Sequence, residues 1–123
     1  MARHNEVGAA GEDVACDYLH GKGWTVLERN YRRKYGEIDI VARETGGLLV
    51  FVEVKTVSHA TPGLRPEDNV HPQKLRKLGN TIQAYLASKR HYGDWRFDVL
   101  AVFLDPVSKK AQIRHTEDII IGA

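Results

Sequence analysis

At 123 residues the chain has the length of one domain, and it can bury roughly two thirds of its extended surface without disulfides or a structural metal. Charged residues make up 28% of it, and the longest apolar run, VLAVFL at 99–104, falls far short of the ~20 residues of a membrane-spanning helix, so no membrane partner is expected. The net charge of +2 names no partner, the N-terminal stretch lacks the apolar segment of a secretory signal, and a lone Cys16 points to a reducing cytoplasmic setting.

Val7, Ala10, Gly11, Val14, Ala15, Tyr18 and Leu19 recur at helical spacing, which predicts a first helix ended by Gly21 and Gly23. WTVLERNY (24–31) reads as a short strand. Two more strands, at about 37–43 and 48–56, flank the turn Thr45-Gly46-Gly47 as a hairpin. The irregular stretch 57–71 follows, with Pro62-Gly63 and Pro66. Loops that long inside a compact domain are commonly functional, and this one is expected to lie over the site and to order on nucleic acid. Pro72 suits the first turn of a second helix whose buried stripe is Leu75, Leu78, Ile82, Tyr85 and Leu86. WRFDVLAVFL (95–104) is apolar on both alternating faces, as a strand covered on two sides is, and AQIRH (111–115) supplies a last strand. The order α-β-β-β-α-β-β predicts a mixed sheet flanked by helices, of α/β or α+β class, in a single domain over 1–123.

The hairpin GEIDIVARETGGLLVFVEVK (36–55) carries Asp39 inside one apolar strand and Glu53 and Lys55 inside the other. A three-residue loop at 45–47 sets Ala42 opposite Val50, Ile40 opposite Val52 and Ile38 opposite Val54, one wholly apolar face. The other face then pairs Val41 with Phe51, Asp39 with Glu53 and Glu37 with Lys55. A two-residue loop would slip charges among the core valines, so the hydrophobic pattern selects the three-residue loop. Directly opposed residues have Cβ atoms roughly 4.5–5.5 Å apart, and like charges placed there destabilise the sheet. Asp39 against Glu53 therefore needs an offset: a shared proton, Lys55, or a bound cation. Two carboxylates at that separation can converge on one divalent ion whose oxygen ligands lie at about 2.0–2.1 Å. Lys55 shares a face with Glu53 because strand side chains alternate. By themselves these residues admit two readings, a metal site of two acids and a base, or a solvated sheet face whose ions are held by Lys55 and Arg43.

Two basic clusters bracket the hairpin in sequence. Arg29, Arg32, Arg33 and Lys34 precede it, and Lys74, Arg76, Lys77, Lys89 and Arg90 fall in a span from Asp68 to Asp94 that holds no acid between those two. Such stretches suit phosphate backbones, and they equally describe a solvated helix face. Asp98, on a strand apolar on both sides, is expected to be buried and paired with Arg96 or a backbone group. The six histidines form no His-x-His or His-x₃-His pair, so the spacing offers no zinc site.

An acid-bearing helix, then Asp-(spacer)-Glu-x-Lys on a hairpin, then a second helix resembles the PD-(D/E)xK nuclease superfamily and its restriction-endonuclease-like αβββαβ core. More narrowly, GxxGEDxAxxYL in the first helix, GEIDIVA, LVFVEVKTV and RFDVLAV resemble the YraN-like family, small endonuclease-fold proteins related to archaeal Holliday-junction resolvases. The likeness runs from Gly8 to Val102. It implies that Asp39, Glu53 and the Val54 carbonyl hold a divalent cation, Mg²⁺ or Mn²⁺, and that Lys55 is the catalytic lysine. Glu12 matches an acid that the resolvase-like branch carries on its first helix. A helical wheel sets Glu12 about 20° from Leu19, at the border of the buried stripe, although an exposed helix acid is the other reading. The proline ahead of the first acid in the superfamily pattern is absent, Ile38 standing there.

The activity so implied is metal-dependent hydrolysis of DNA phosphodiester bonds, selective for branched DNA, with a homodimer as the working form. Glu37 is expected to hold Lys55 in place or to join the shell of a second metal, and Gln73, Lys74, Lys77, Arg32 and Arg33 to contact nucleic acid. The competing reading is a module of the same fold that binds nucleic acid, turns over weakly and acts through partners. Retention of both acids and Lys55 favours the enzyme, because binding alone needs only positive charge.

Overall fold

Glycine and proline punctuate the chain into the elements seen in a computed structural model, which describes residues 2–57, 72–105 and 107–121, apart from the side chains of 2–7 and 72. In chain order these are α1 (Ala2–Gly21), β1 (Thr25–Arg33), β2 (Gly36–Arg43), β3 (Leu49–Val57), α2 (Pro72–Ser88), β4 (Trp95–Leu104) and β5 (Ala111–Thr116). The stretch expected to cover the site falls almost wholly at 58–71, outside the described residues. Gly23, at φ +84°, ends α1: its N–H donates to the His20 carbonyl and that of Trp24 to the Leu19 carbonyl. This is the double bond of a helix closed by a left-handed residue.

The five strands pair in sequential order, all antiparallel except β3 and β4, which run parallel and are joined through α2. Helices cover both faces. Beneath α2, Leu78, Ile82, Tyr85 and Leu86 pack on Val41, Phe51, Phe97 and Val99. Beneath α1, Ala15, Cys16, Leu19 and nearby Trp24 pack on Ile40, Val50, Val52, Leu100 and Val102. Alternate residues of β3 and β4 thus enter opposite cores, which is why both strands read as continuous apolar runs. Two helices flanking a mixed sheet in this order form a restriction-endonuclease-like αβββαβ core.

The hairpin turns as its loop length predicts. Glu44 N–H donates to the Leu48 carbonyl, Gly47 N–H donates back to Glu44, and Gly47 adopts φ +97°. Ile40 lies opposite Val52, Val41 opposite Phe51 and Ala42 opposite Val50. Beyond Ile40 and Val52 the ladder stops. The expected pairing of Ile38 with Val54 is not made: Ile38 joins the core under α2 while Ile40 lies under α1. The physical reason lies at Asp39, whose side chain takes the Val54 N–H for itself.

Candidate metal centre

Where β2 and β3 part, a cleft of about 310 Å³ opens under the first turns of α2, lined by Glu37, Asp39, Glu53, Lys74, Lys77 and Leu78 among others. Asp39 is fixed by the 2.8 Å bond that its Oδ2 accepts from Val54 N–H. Glu53, one residue earlier on β3, is only 7% exposed. Its Oε2 lies 3.3 Å from Lys74 Nζ, which reaches down from α2. Lys55 is half-buried beside them and lies close enough for its charge to act on Lys74.

Two acids and two lysines in so little water perturb one another. Burial, then the charge of Glu53 and a hydrogen bond to it, push the Asp39 carboxyl up to about 8, against the opposing pull of the Val54 N–H. Without a metal, the protonated form of Asp39 is thereby favoured beside the Glu53 carboxyl. Burial pulls Lys55 below the usual ammonium value, helped by its contact with Lys74. For Lys74, burial works the same way but is outweighed by its contacts with Lys55 and Glu53, and the group is held above its ordinary value. The unfavourable carboxylate pair is thus relieved by the raised Asp39 carboxyl and by a lysine, although that lysine comes from α2 and not from β3.

This donor set fits a hard divalent cation. Two carboxyl groups close enough to share a proton, borne by strands of one sheet, offer oxygen ligands of the kind Mg²⁺ and Mn²⁺ take. A cationic group, the Lys74 ammonium, already sits against one of them.

The remaining residues singled out in the sequence distribute unevenly. Gly11 brings α1 onto β3 so closely that a Cβ there would overlap Thr56 Oγ1. The next residue, Glu12, is thereby set near enough for its charge to raise Asp39. Its own carboxyl is raised, chiefly by burial, and its nearest ion pair is Arg29 at 3.8 Å. Glu37 lines the cleft but pairs with Arg32 at 3.2 Å, and the expected pairing of Glu37 with Lys55 lies past the end of the ladder. Val54 contributes its N–H, which is the backbone contact seen at the site. Lys77 lines the cleft, Gln73 is exposed on the first turn of α2, and Arg33 stacks over the Tyr31 ring at 4.3 Å.

A second cluster lies beneath the C-terminal part of α1. Asp98, His115 and Glu117 bring ligand-type atoms within 4.8 Å of one another, a set that could coordinate a divalent cation. Linear spacing could not reveal it, because Asp98 and His115 meet only through the pairing of β4 with β5. The expected partners of Asp98 are present: Arg96 donates to both carboxylate oxygens at 2.8 and 2.9 Å, and Asp118 N–H donates at 3.0 Å. His115 Nε2 adds a 2.7 Å contact, and Arg96 also reaches Glu117 at 3.4 Å. Burial alone would raise Asp98, yet His115, Arg96 and the Asp118 N–H hold it below the usual carboxylate value. The Arg96 guanidinium is already the cation of this cluster, so a metal would have to displace it.

The fold is nuclease-like, and the hairpin that carries Asp39, Glu53 and Lys55 is the part of it with convergent acids beside a cleft. The chain belongs to the uncharacterised protein family UPF0102, whose defining pattern spans residues 11–102. Relatives cover nearly the whole chain. A UPF0102 protein of Desulforamulus reducens is 37% identical over 114 residues, which make up 91% of this chain and 93% of that one. Another from Alkaliphilus oremlandii is 42% identical over 118 residues, 94% and 97% of the two chains. A third from Rhodococcus opacus is 40% identical over 119 residues, 96% and 98%. Among the described residues, no helix is long and apolar enough to cross a membrane.

Proposed function

We propose that this protein is a metal-dependent endonuclease that hydrolyses phosphodiester bonds in DNA, with branched DNA as its preferred substrate and the cytoplasm as its setting. The observation that carries the reading is the meeting of the Asp39 and Glu53 carboxyls beside Lys55 in a cleft bordered by basic residues. Asp39 and Glu53 would hold Mg²⁺ or Mn²⁺, Asp39 giving up its proton to do so. A divalent cation so held lowers the pKa of a bound water and polarises a phosphoryl oxygen.

The chain's own groups do the rest. Lys55, half-buried, orients the attacking water and offsets charge developing at phosphorus, where a fixed cation in a water-poor site acts most strongly. The Val54 N–H keeps the Asp39 carboxyl turned towards Glu53. Glu12 supports the acid pair from α1. Gln73 and Lys77 on α2, with Arg32 and Arg33 on β1, track the DNA backbone, contacts that position the strand without reading its sequence. A homodimer would present two such clefts to a two-fold branched substrate.

One observation favours a second reading. Glu53 is already neutralised by Lys74 without any metal, as suits a module that binds nucleic acid and turns over weakly. Incubation of end-labelled four-way junction, flap and linear duplex DNA with Mn²⁺ separates the two. The proposal expects metal-dependent cutting of a branched substrate, lost in Asp39→Asn and in Lys55→Ala. No cutting, or equal cutting by the variants, favours the binding module.

A further inference from the structure

We infer that Lys74 is a tethered counter-cation: its ammonium holds Glu53 while the metal is away, leaves Glu53 when a divalent cation binds, and then serves as a phosphate contact in the cleft. The inference rests on the reading of Asp39 and Glu53 as metal ligands.

Glu53 needs a counter-charge. Its side chain is only 8% exposed, so an ionised carboxylate there is costly unless a positive group lies against it. Lys74 Nζ, 3.3 Å from Oε2, is that group. A divalent ion held by the same carboxylate would bring a second positive charge close to the Lys74 ammonium, and two cations that near repel strongly in a partly buried site. Lys55 adds to the crowding, since its charge and that of Lys74 already act on one another.

Lys74 is free to move where its partners are not. Its side chain is 46% exposed, it springs from the first turn of α2, and a lysine has a four-carbon flexible stem. Asp39 and Glu53, by contrast, are held by the sheet and by Val54 N–H. Lys77 stands one turn further along α2 and also lines the cleft, so an ammonium released from Glu53 joins a cation on the same helix face. The arrangement gives Lys74 two successive partners of the same charge sign, a carboxylate and then a phosphate.

The test is Mn²⁺ binding, followed by electron paramagnetic resonance of the free ion, for the whole protein and its Lys74→Met and Lys74→Arg variants at low salt. Methionine keeps the length of the stem and removes the charge. Lys74→Met is expected to bind Mn²⁺ roughly tenfold tighter, or more, because the competing cation is gone. Lys74→Arg is expected to stay close to the wild type. Without metal, Lys74→Met should melt below the wild type, and Mn²⁺ should raise its melting temperature by the larger amount. A wild type that binds Mn²⁺ with the same affinity as Lys74→Met, or more tightly, overturns the inference and leaves the metal site standing. Absence of Mn²⁺ binding in both proteins removes the metal site and the inference with it. Binding by Lys74→Met and not by the wild type supports both.

Discussion

Val54 N–H donates to Asp39 Oδ2 at 2.8 Å, and that bond ends the hairpin ladder. Hydrogen-bonded and non-bonded pairs alternate along antiparallel strands. Counted from Glu44 and Leu48, the Val54 N–H would have met the Ile38 carbonyl had the ladder continued. A side-chain carboxyl takes that place, which opens the strands where the cleft begins and fixes one acid of the candidate centre.

Asp39→Asn should fold and should lose the pH dependence that Asp39 brings. The amide can accept from Val54 N–H and donate to Glu53, as the protonated carboxyl does. The Asp39 carboxyl ionises at about 8 in the folded protein against 3.8 for the ordinary group. A raised folded value means that the native state holds the extra proton: its stabilisation is complete below 3.8 and is lost as pH rises through about 8. Urea unfolding of the metal-free protein at pH 5, 7 and 9 should therefore give falling stability, with a flatter profile for Asp39→Asn. An equal slope in the two proteins would assign it to other groups.

Two glycines of α1 should respond with opposite signs. At Gly8 a Cβ meets nothing within 4 Å among the described residues, so Gly8→Ala should stabilise by up to about 1 kcal/mol, the ordinary helix gain. At Gly11 the same methyl runs into Thr56, with Cγ2 at 2.7 Å and Cβ at 2.8 Å from it. Gly11→Ala should destabilise by about 1–3 kcal/mol and push Glu12 away from the acid pair. Thermal unfolding of the two variants side by side checks the contrast.

Asp98→Ala should cost about 3–5 kcal/mol at pH 7, because it strands Arg96 and His115 in a buried network. The Asp98 carboxyl sits below its ordinary value of 3.8, so its contribution is present above that pH and disappears as pH falls through the folded value. Urea unfolding should show the deficit shrinking in strong acid. A constant deficit would mean that lost packing, not lost charge, sets it.

Tyr31→Phe should be neutral or stabilising by up to about 1 kcal/mol. Among the described residues the hydroxyl of this buried tyrosine meets no hydrogen-bond partner, while the ring packs edge-on to Tyr85 at 5.1 Å. Phenylalanine keeps the ring contact and removes the unsatisfied group. A loss above 1 kcal/mol in thermal unfolding would reveal a partner for the hydroxyl.

Much of this architecture is written in local pattern. The hairpin register follows from alternating valines and isoleucines, since any slip would bury charge, and Ile40 opposite Val52 bears that out. Helix ends were legible where glycine supplies the left-handed residue, as Gly23 does. Ile38 was not legible, because the break in alternation beside it comes from a side chain competing for a backbone donor. The joining of Asp98 with His115 depends on which strands pair, which spacing along the chain does not encode. The meeting of Lys74 with Glu53 depends on how α2 returns over the sheet after residues 58–71. Its basic character was visible in the sequence and its partner was not.

The central claim is that Asp39 and Glu53 form one divalent-metal site. It is tested most directly by the melting temperature of the protein and of Asp39→Asn as Mn²⁺ is raised through the millimolar range. A ligand that binds only the folded state stabilises it by about 2.7 kcal/mol at one hundred times its dissociation constant. A rise of several degrees is expected for the wild type and none for Asp39→Asn. A flat response in both, or the same rise in both, would contradict it.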